Sequence, residues 1–120
     1  MTGTSMDGID VSLVHTNGIS LTRLNKNFFY KYSDETKDYL LDILNKDVQF
    51  NLKRKEKLDE LITEEHYKAV NSFDLIKYAD LVGFHGQTIY HDPANKTSIQ
   101  LGNPIKLAKM FNKNVIFNFR

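Results

Sequence analysis

From Ile9 the chain alternates. Ile9, Val11 and Leu13 fall on one side and Asp10, Ser12 and Val14 on the other, the period-two signature of a strand with one buried face. Asn17-Gly18 follows where a two-residue hairpin turn would sit, so the pattern predicts strand, turn, strand, the second strand running from Ile19 into Phe28-Phe29-Tyr30. The period then lengthens. Ser33 offers a helix N-cap, Asp34 and Glu35 place negative charge where the helix dipole favours it, and Tyr39, Leu40, Ile43 and Leu44 share a face. Leu58, Leu61, Ile62, Ala69, Val70, Phe73 and Ile76 recur at spacings of three and four, which predicts a long amphipathic helix opening near Lys53.

The apolar run from Asp80 to Gly86 reads as a short buried strand that delivers a functional loop at its C-terminal end. A hairpin is expected next, with arms Thr88 to His91 and Ser98 to Leu101 around the turn-forming Asp92-Pro93-Ala94-Asn95. Asn103 followed by Pro104 supplies an N-cap with proline at the first helical position, and Asn112 to Asn114 ends that helix before the strand Val115-Ile116-Phe117. The elements make an α/β chain with a mixed sheet and flanking helices. No repeat, low-complexity tract or linker supports a second domain, so residues 1–120 are expected to form one unit.

Composition narrows the partners. Lys plus Arg is 16 against 15 for Asp plus Glu, so the formal charge of +1 gives no net field to attract nucleic acid or an anionic membrane. The absence of cysteine excludes disulfides, thiolate metal sites and a cysteine nucleophile. No window approaches the roughly 18 consecutive apolar residues of a membrane span, and the first ten residues lack the basic and apolar regions of a secretory signal. A soluble, cytoplasmic protein is expected. Lys53, Arg54, Lys55 and Lys57 read as the wet face of the long helix, interleaved with Glu56, Asp59 and Glu60, with an anion contact as the alternative.

Two constellations stand out as candidate chemistry. Gly3, Thr4, Ser5, Met6, Asp7, Gly8, Ile9 and Asp10 pack two glycines, two hydroxyls and two carboxylates into eight residues just ahead of a strand. Glycines let backbone approach a phosphate, hydroxyls and amides donate to its oxygens, and Asp7 or Asp10 can hold a magnesium ion directly or through water. The same residue types also make ordinary tight turns, and the spacing is neither a Walker loop nor a dinucleotide fingerprint. The second constellation is His85-Gly86-Gln87-Thr88, with His91 close behind. Gln87 can donate and accept toward sugar hydroxyls or an N-acetyl group; His85 suits a donor, a general base or a hydrogen-bonded core residue. Zinc at His85 and His91 lacks a third ligand, Asp92 being the nearby carboxylate.

Four segments together carry a resemblance: residues 3–10, residues 83–91 (Gly83 through His91), residues 98–104 (Ser98 through Pro104) and residues 115–120 (Val115 through Arg120). In order and spacing they are similar to successive motifs of anhydro-N-acetylmuramic acid kinases, except that Asn118 stands where that family usually has an acid. The resemblance spans essentially the whole chain, residues 33–77 matching in character rather than in residues. It implies an actin-like, ribonuclease-H-like ATPase lobe with ATP and sugar in a cleft between two lobes. Gly3 to Asp10 would form the first phosphate loop, Asp7 or Asp10 would lie near Mg²⁺, and His85, Gln87 and Arg120 would face the sugar. The implied reaction opens the 1,6-anhydro ring of anhydro-N-acetylmuramic acid and phosphorylates O6 in cell-wall recycling.

The resemblance also implies an apolar strand ahead of Gly3, where only Met1 and Thr2 stand, and a water-activating base beyond Arg120. The chain is therefore expected to be one lobe of a shortened or split kinase, completed by a separately encoded C-terminal portion or by a second copy. The competing expectation is a non-catalytic domain that binds nucleotide or a partner.

Overall fold

The computed structural model describes residues 6–44 and 52–119. Strand β1 (Gly8–Thr16) pairs antiparallel with β2 (Leu21–Lys31), in register from Gly8 opposite Lys31 to Thr16 opposite Leu21. Ile9, Val11 and Leu13 turn inward and Asp10, Ser12 and Val14 outward, as their alternation requires. The connection is longer than the expected two-residue turn. Asn17 Oδ1 accepts from the backbone N–H of Ile19 at 3.0 Å and of Ser20 at 2.8 Å, so its side chain wraps a four-residue loop. Ile19 is thereby left exposed and β2 begins at Leu21. The register shifts between Leu13 and Val14, opposite which β2 carries the two extra residues Leu24 and Asn25.

Helix α1 (Asp34–Leu44) starts at the expected cap, where Ser33 Oγ accepts from the Thr36 N–H at 3.3 Å. Leu40 is fully buried with Tyr39 and Ile43 packed around the core; the Leu44 side chain lies outside the described part. Helix α2 (Leu52–Ser72) is the spine, burying Leu58, Ile62 and Ala69. Phe73 and Ile76 continue its apolar spacing but fall beyond it. Asp74 adopts the left-handed conformation (φ 52°) and the Leu75 N–H reaches back to Val70 O at 3.5 Å, a Schellman-type stop. Phe73 instead stacks on Phe28 of β2, ring centres 4.3 Å apart, and Ile76 opens a short 3-10 turn (Ile76–Tyr78).

Strand β3 (Leu81–Phe84) leads through His85-Gly86 into β4 (Gln87–Asp92), which pairs antiparallel with β5 (Thr97–Leu101). Helix α3 (Pro104–Phe111) carries both predicted caps: Asn103 Oδ1 accepts from the Lys106 N–H at 2.9 Å, and Asn112 closes the far end at φ 50°. Strand β6 (Asn114–Phe117) then pairs parallel with β3.

Two expectations change here. Instead of one mixed sheet, the described strands form three two-stranded sheets, β1-β2, β3-β6 and β4-β5, because they meet through side chains packed on α2 rather than through shared ladders. The run at 81–84 is also not buried throughout. Val82, Phe84 and Val115 pack on Leu107 and Phe111 of α3, whereas Leu81 and Ile116 on the opposite face are 52% and 49% exposed. Parallel strands are ordinarily covered on both faces.

Candidate functional site

The N-terminal motif enters the core at Met6, which is buried and held at φ 52°. A left-handed methionine costs on the order of 1 kcal/mol, so packing in the main core, rather than local preference, holds it there. Asp7 and Asp10 are exposed, on either side of Gly8 and Ile9. Glycine at position 8 has a packing cause: a Cβ there would lie 2.3 Å from Tyr30 O and 2.6 Å from the Phe29 ring. Close approach of β2 therefore already accounts for this glycine, beside any ligand. Gly3, Thr4 and Ser5 lie outside the described residues, as does Arg120.

The second motif crosses from β3 to β4. Gly86 sits at φ 73°, and a Cβ there would lie 2.4 Å from Leu101 O, so the turn requires glycine for both conformation and space. Gln100 Nε2 lies 3.3 Å from His85 Nε2 and Gly86 O lies 3.1 Å from His85 Nδ1. This assigns Nε2 as acceptor and Nδ1 as the protonated nitrogen of a half-buried imidazole. Gln87 is fully buried: its Oε1 accepts from the Tyr32 hydroxyl at 3.0 Å and its Nε2 donates to Thr88 O at 3.0 Å.

Tyr32 also donates its backbone N–H to Asp7 O at 3.1 Å. The first two motifs are thus brought together through one residue. The third braces the second, through Gln100 on His85 and the Leu101 carbonyl against Gly86. It is itself pinned to α2, where the Gly102 N–H donates to Asp59 Oδ1 at 2.8 Å and the Asn103 N–H to Thr63 Oγ1 at 2.7 Å. The fourth supplies β6 beside β3, after which Asn118 turns at φ 68°. Asn and Asp both tolerate that conformation, so the turn itself does not require an acid at this position.

Three polar residues buried near these segments escaped the sequence reading. Tyr32 falls between a strand and a helix, where neither period marks it. Glu65 and His66 do have a signal, since they sit on the Leu58, Ile62, Ala69 stripe of α2. Glu65 Oε1 accepts from the hydroxyls of Ser33 at 2.6 Å and Thr36 at 3.0 Å, which ties α2 to the start of α1. His66 donates from Nδ1 to Ile62 O at 2.7 Å and meets the Phe84 ring edge-on at 4.9 Å. Its Nε2 has no partner among the described residues, and burial pushes its pKa from 6.5 down to about 4.

The basic stretch of α2 is a solvated face: Lys55 pairs with Asp59 at 2.5 Å and the Lys57 ammonium stands over the Tyr39 ring at 4.1 Å. His91 is exposed, and among the described residues no three His, Asp or Glu side chains come together as a metal site. Two exposed carboxylates at Asp7 and Asp10 suit a cation that keeps most of its waters and is held partly by phosphate oxygens. None of the described helices is long and apolar enough to cross a membrane.

Comparison with known proteins places these motifs. The family model for anhydro-N-acetylmuramic acid kinase matches residues 1–120. A Pelagibacter ubique protein named anhydro-N-acetylmuramic acid kinase is 37% identical over the whole of this chain, which covers 34% of that relative. Proteins of the same name from Rhodopseudomonas palustris and Nitrobacter winogradskyi are 35% and 33% identical, again over the whole chain and 36% of their own lengths. The chain spans about a third of the curated relatives it matches.

Proposed function

The chain belongs to the anhydro-N-acetylmuramic acid kinase family, and from that premise we propose that it supplies one wall of the cleft of an ATP-dependent sugar kinase. In the reaction the γ-phosphoryl group of ATP passes to O6 of 1,6-anhydro-N-acetylmuramic acid while water adds at C1 and the C1–O6 bond breaks, giving N-acetylmuramic acid 6-phosphate and ADP for cell-wall recycling. The single observation that carries the reading is the family match over all 120 residues, the described parts of the four motifs lying against one another in the fold.

Phosphoryl transfer asks a protein for positioning and for stabilisation of charge rather than for covalent chemistry. The segment Gly3 to Asp10, whose last three residues open β1, would receive the phosphates: Thr4, Ser5 and backbone N–H groups would donate to phosphate oxygens, and Asp7 or Asp10 would hold Mg²⁺ through water. When bound, the cation neutralises charge on the transferring phosphoryl group. His85, held by Gln100, would turn its ring to the sugar, and Arg120 would supply a cation for the same ligand, while the buried Gln87 fixes the His85-Gly86 turn. The lobe is of the actin-like, ribonuclease-H-like type, and dependence on ATP goes with a cytoplasmic location. The water-activating base would come from residues corresponding to the remaining two thirds of the relatives, on the same polypeptide or a separate one.

The test is ATP-dependent formation of the 6-phosphate, followed by mass spectrometry, with this chain alone and with the C-terminal two thirds of the Pelagibacter relative added. Product only in the mixture is expected. If the mixture associates but makes none, while the intact relative turns over, the kinase reading of this chain fails.

A further inference from the structure

We propose that Tyr32 is a positioning residue that couples the two ligand sides of this wall, a role that rests on the nucleotide and sugar assignment above. Its backbone N–H holds the Asp7 carbonyl at 3.1 Å, at the exit of the phosphate loop, and its hydroxyl donates to Gln87 Oε1 at 3.0 Å, at the start of β4. The Gln87 amide is fixed at its other end by the Thr88 carbonyl, 3.0 Å from Nε2, so it cannot swing freely when Tyr32 moves.

The neighbouring parts leave little slack. Met6 is buried in the same core cluster as Tyr32 and Leu101, so the loop cannot shift without pressing on that cluster. Gly86 is lodged against the Leu101 carbonyl, and His85 is tied to Gln100 one residue before it. A displacement of Asp7 therefore has a continuous route through Tyr32 and Gln87 to Gly86 and His85. Tyr32 is 2% exposed and Gln87 fully buried. A phenylalanine facing a leucine would fill this space with no polar group to desolvate, so the hydroxyl–amide pair serves geometry more than stability. In a kinase of this kind such a link lets nucleotide seated on the loop set the loop that faces the sugar.

The isotopically labelled 120-residue chain allows a direct test by amide NMR during titration with ATP and magnesium. The backbone amides of Gly8 and Gly86 and the side-chain amide of Gln87 should shift with a common midpoint. In Tyr32→Phe, which keeps the ring, the Gly8 shift should persist while those at Gly86 and Gln87 collapse to the level of remote residues. Gln87→Leu should cut the link from the other end, losing the Gly86 shift and keeping that of Gly8. Unchanged signals from Leu58 and Leu107 verify that each variant folds. Persistence of the Gly86 shift in a folded variant, or its absence from the unmodified chain while Gly8 responds, overturns the coupling. No response anywhere, with the C-terminal two thirds of the Pelagibacter relative also present, overturns the nucleotide assignment and the coupling with it.

Discussion

Lowering the pH should destabilise this protein through His66 before its carboxylates titrate. The imidazole is buried on α2, donates from Nδ1 to the Ile62 carbonyl and has no partner at Nε2 among the described residues. Protonation would place a second N–H and a positive charge against the Phe84 ring with no acceptor for it among the described residues, and burial accordingly lowers the pKa from 6.5 to about 4, with the Ile62 hydrogen bond acting against the shift and His85 with it. Because the folded-state value is depressed, the unfolded chain binds more protons below pH 6.5. The contribution is thus present above that pH and lost as pH falls toward 4. For these two values the loss is about 2 kcal/mol between pH 7 and 5, and about 3 by pH 4. Urea unfolding across that range, compared with His66→Asn, isolates the effect, since asparagine retains a donor near the Nδ1 position and does not titrate. The wild-type curve should fall more steeply with acid by about that amount. A direct NMR titration that put the His66 midpoint near 6.5, or equal pH slopes for the two proteins, would refute the reasoning.

Gly86→Ala combines a left-handed alanine with a methyl driven against the Leu101 carbonyl, so urea unfolding should show a loss of about 2–4 kcal/mol. Glu65→Ala takes the acceptor from the Thr36 hydroxyl and leaves Ser33 only Thr36 Oγ1 to donate to, so it should cost about 1–3 kcal/mol, read the same way. Asn103→Ala removes the α3 cap and should lower stability by about 1 kcal/mol. Lys55→Ala breaks a partly exposed pair on the wet face of α2 and should change the unfolding free energy by no more than about 1 kcal/mol.

Where one residue type carries its own local geometry, the sequence was enough. Asn103-Pro104, Ser33 and Asn112 mark helix ends because their side chains or backbone preferences act within a turn, and the structure has caps at all three. The hairpin loop was harder, because Asn17 satisfies the backbone of two residues beyond it and so lengthens the turn. Glu65 and His66 were hidden by chemistry rather than position: their spacing placed them inward, but their polarity suggested the wet face. The four motifs were recognisable along the chain, while the link between the first two was not, since Tyr32 and Gln87 are 55 residues apart and nothing local pairs them. The three-sheet arrangement was likewise illegible, because strand pairing depends on which faces the helices cover.

The parallel β3-β6 pair bears on how the chain folds. Hairpin β1-β2 closes around a four-residue loop and β4-β5 around a turn of similar length, but Leu81 meets Asn114 only after 33 positions. Closing the longer segment costs about 2 kcal/mol more chain entropy than closing the short loop, and no local contact offsets that while the segment is being gathered. α3, whose Leu107 and Phe111 seat against Val82, Phe84 and Val115, acts as the splint that holds the two strands side by side. Substitutions in the ribbons should therefore register mainly in the folding rate, and those under α3 in the rate of unfolding, with the parallel pair the last part to assemble and the first to come apart.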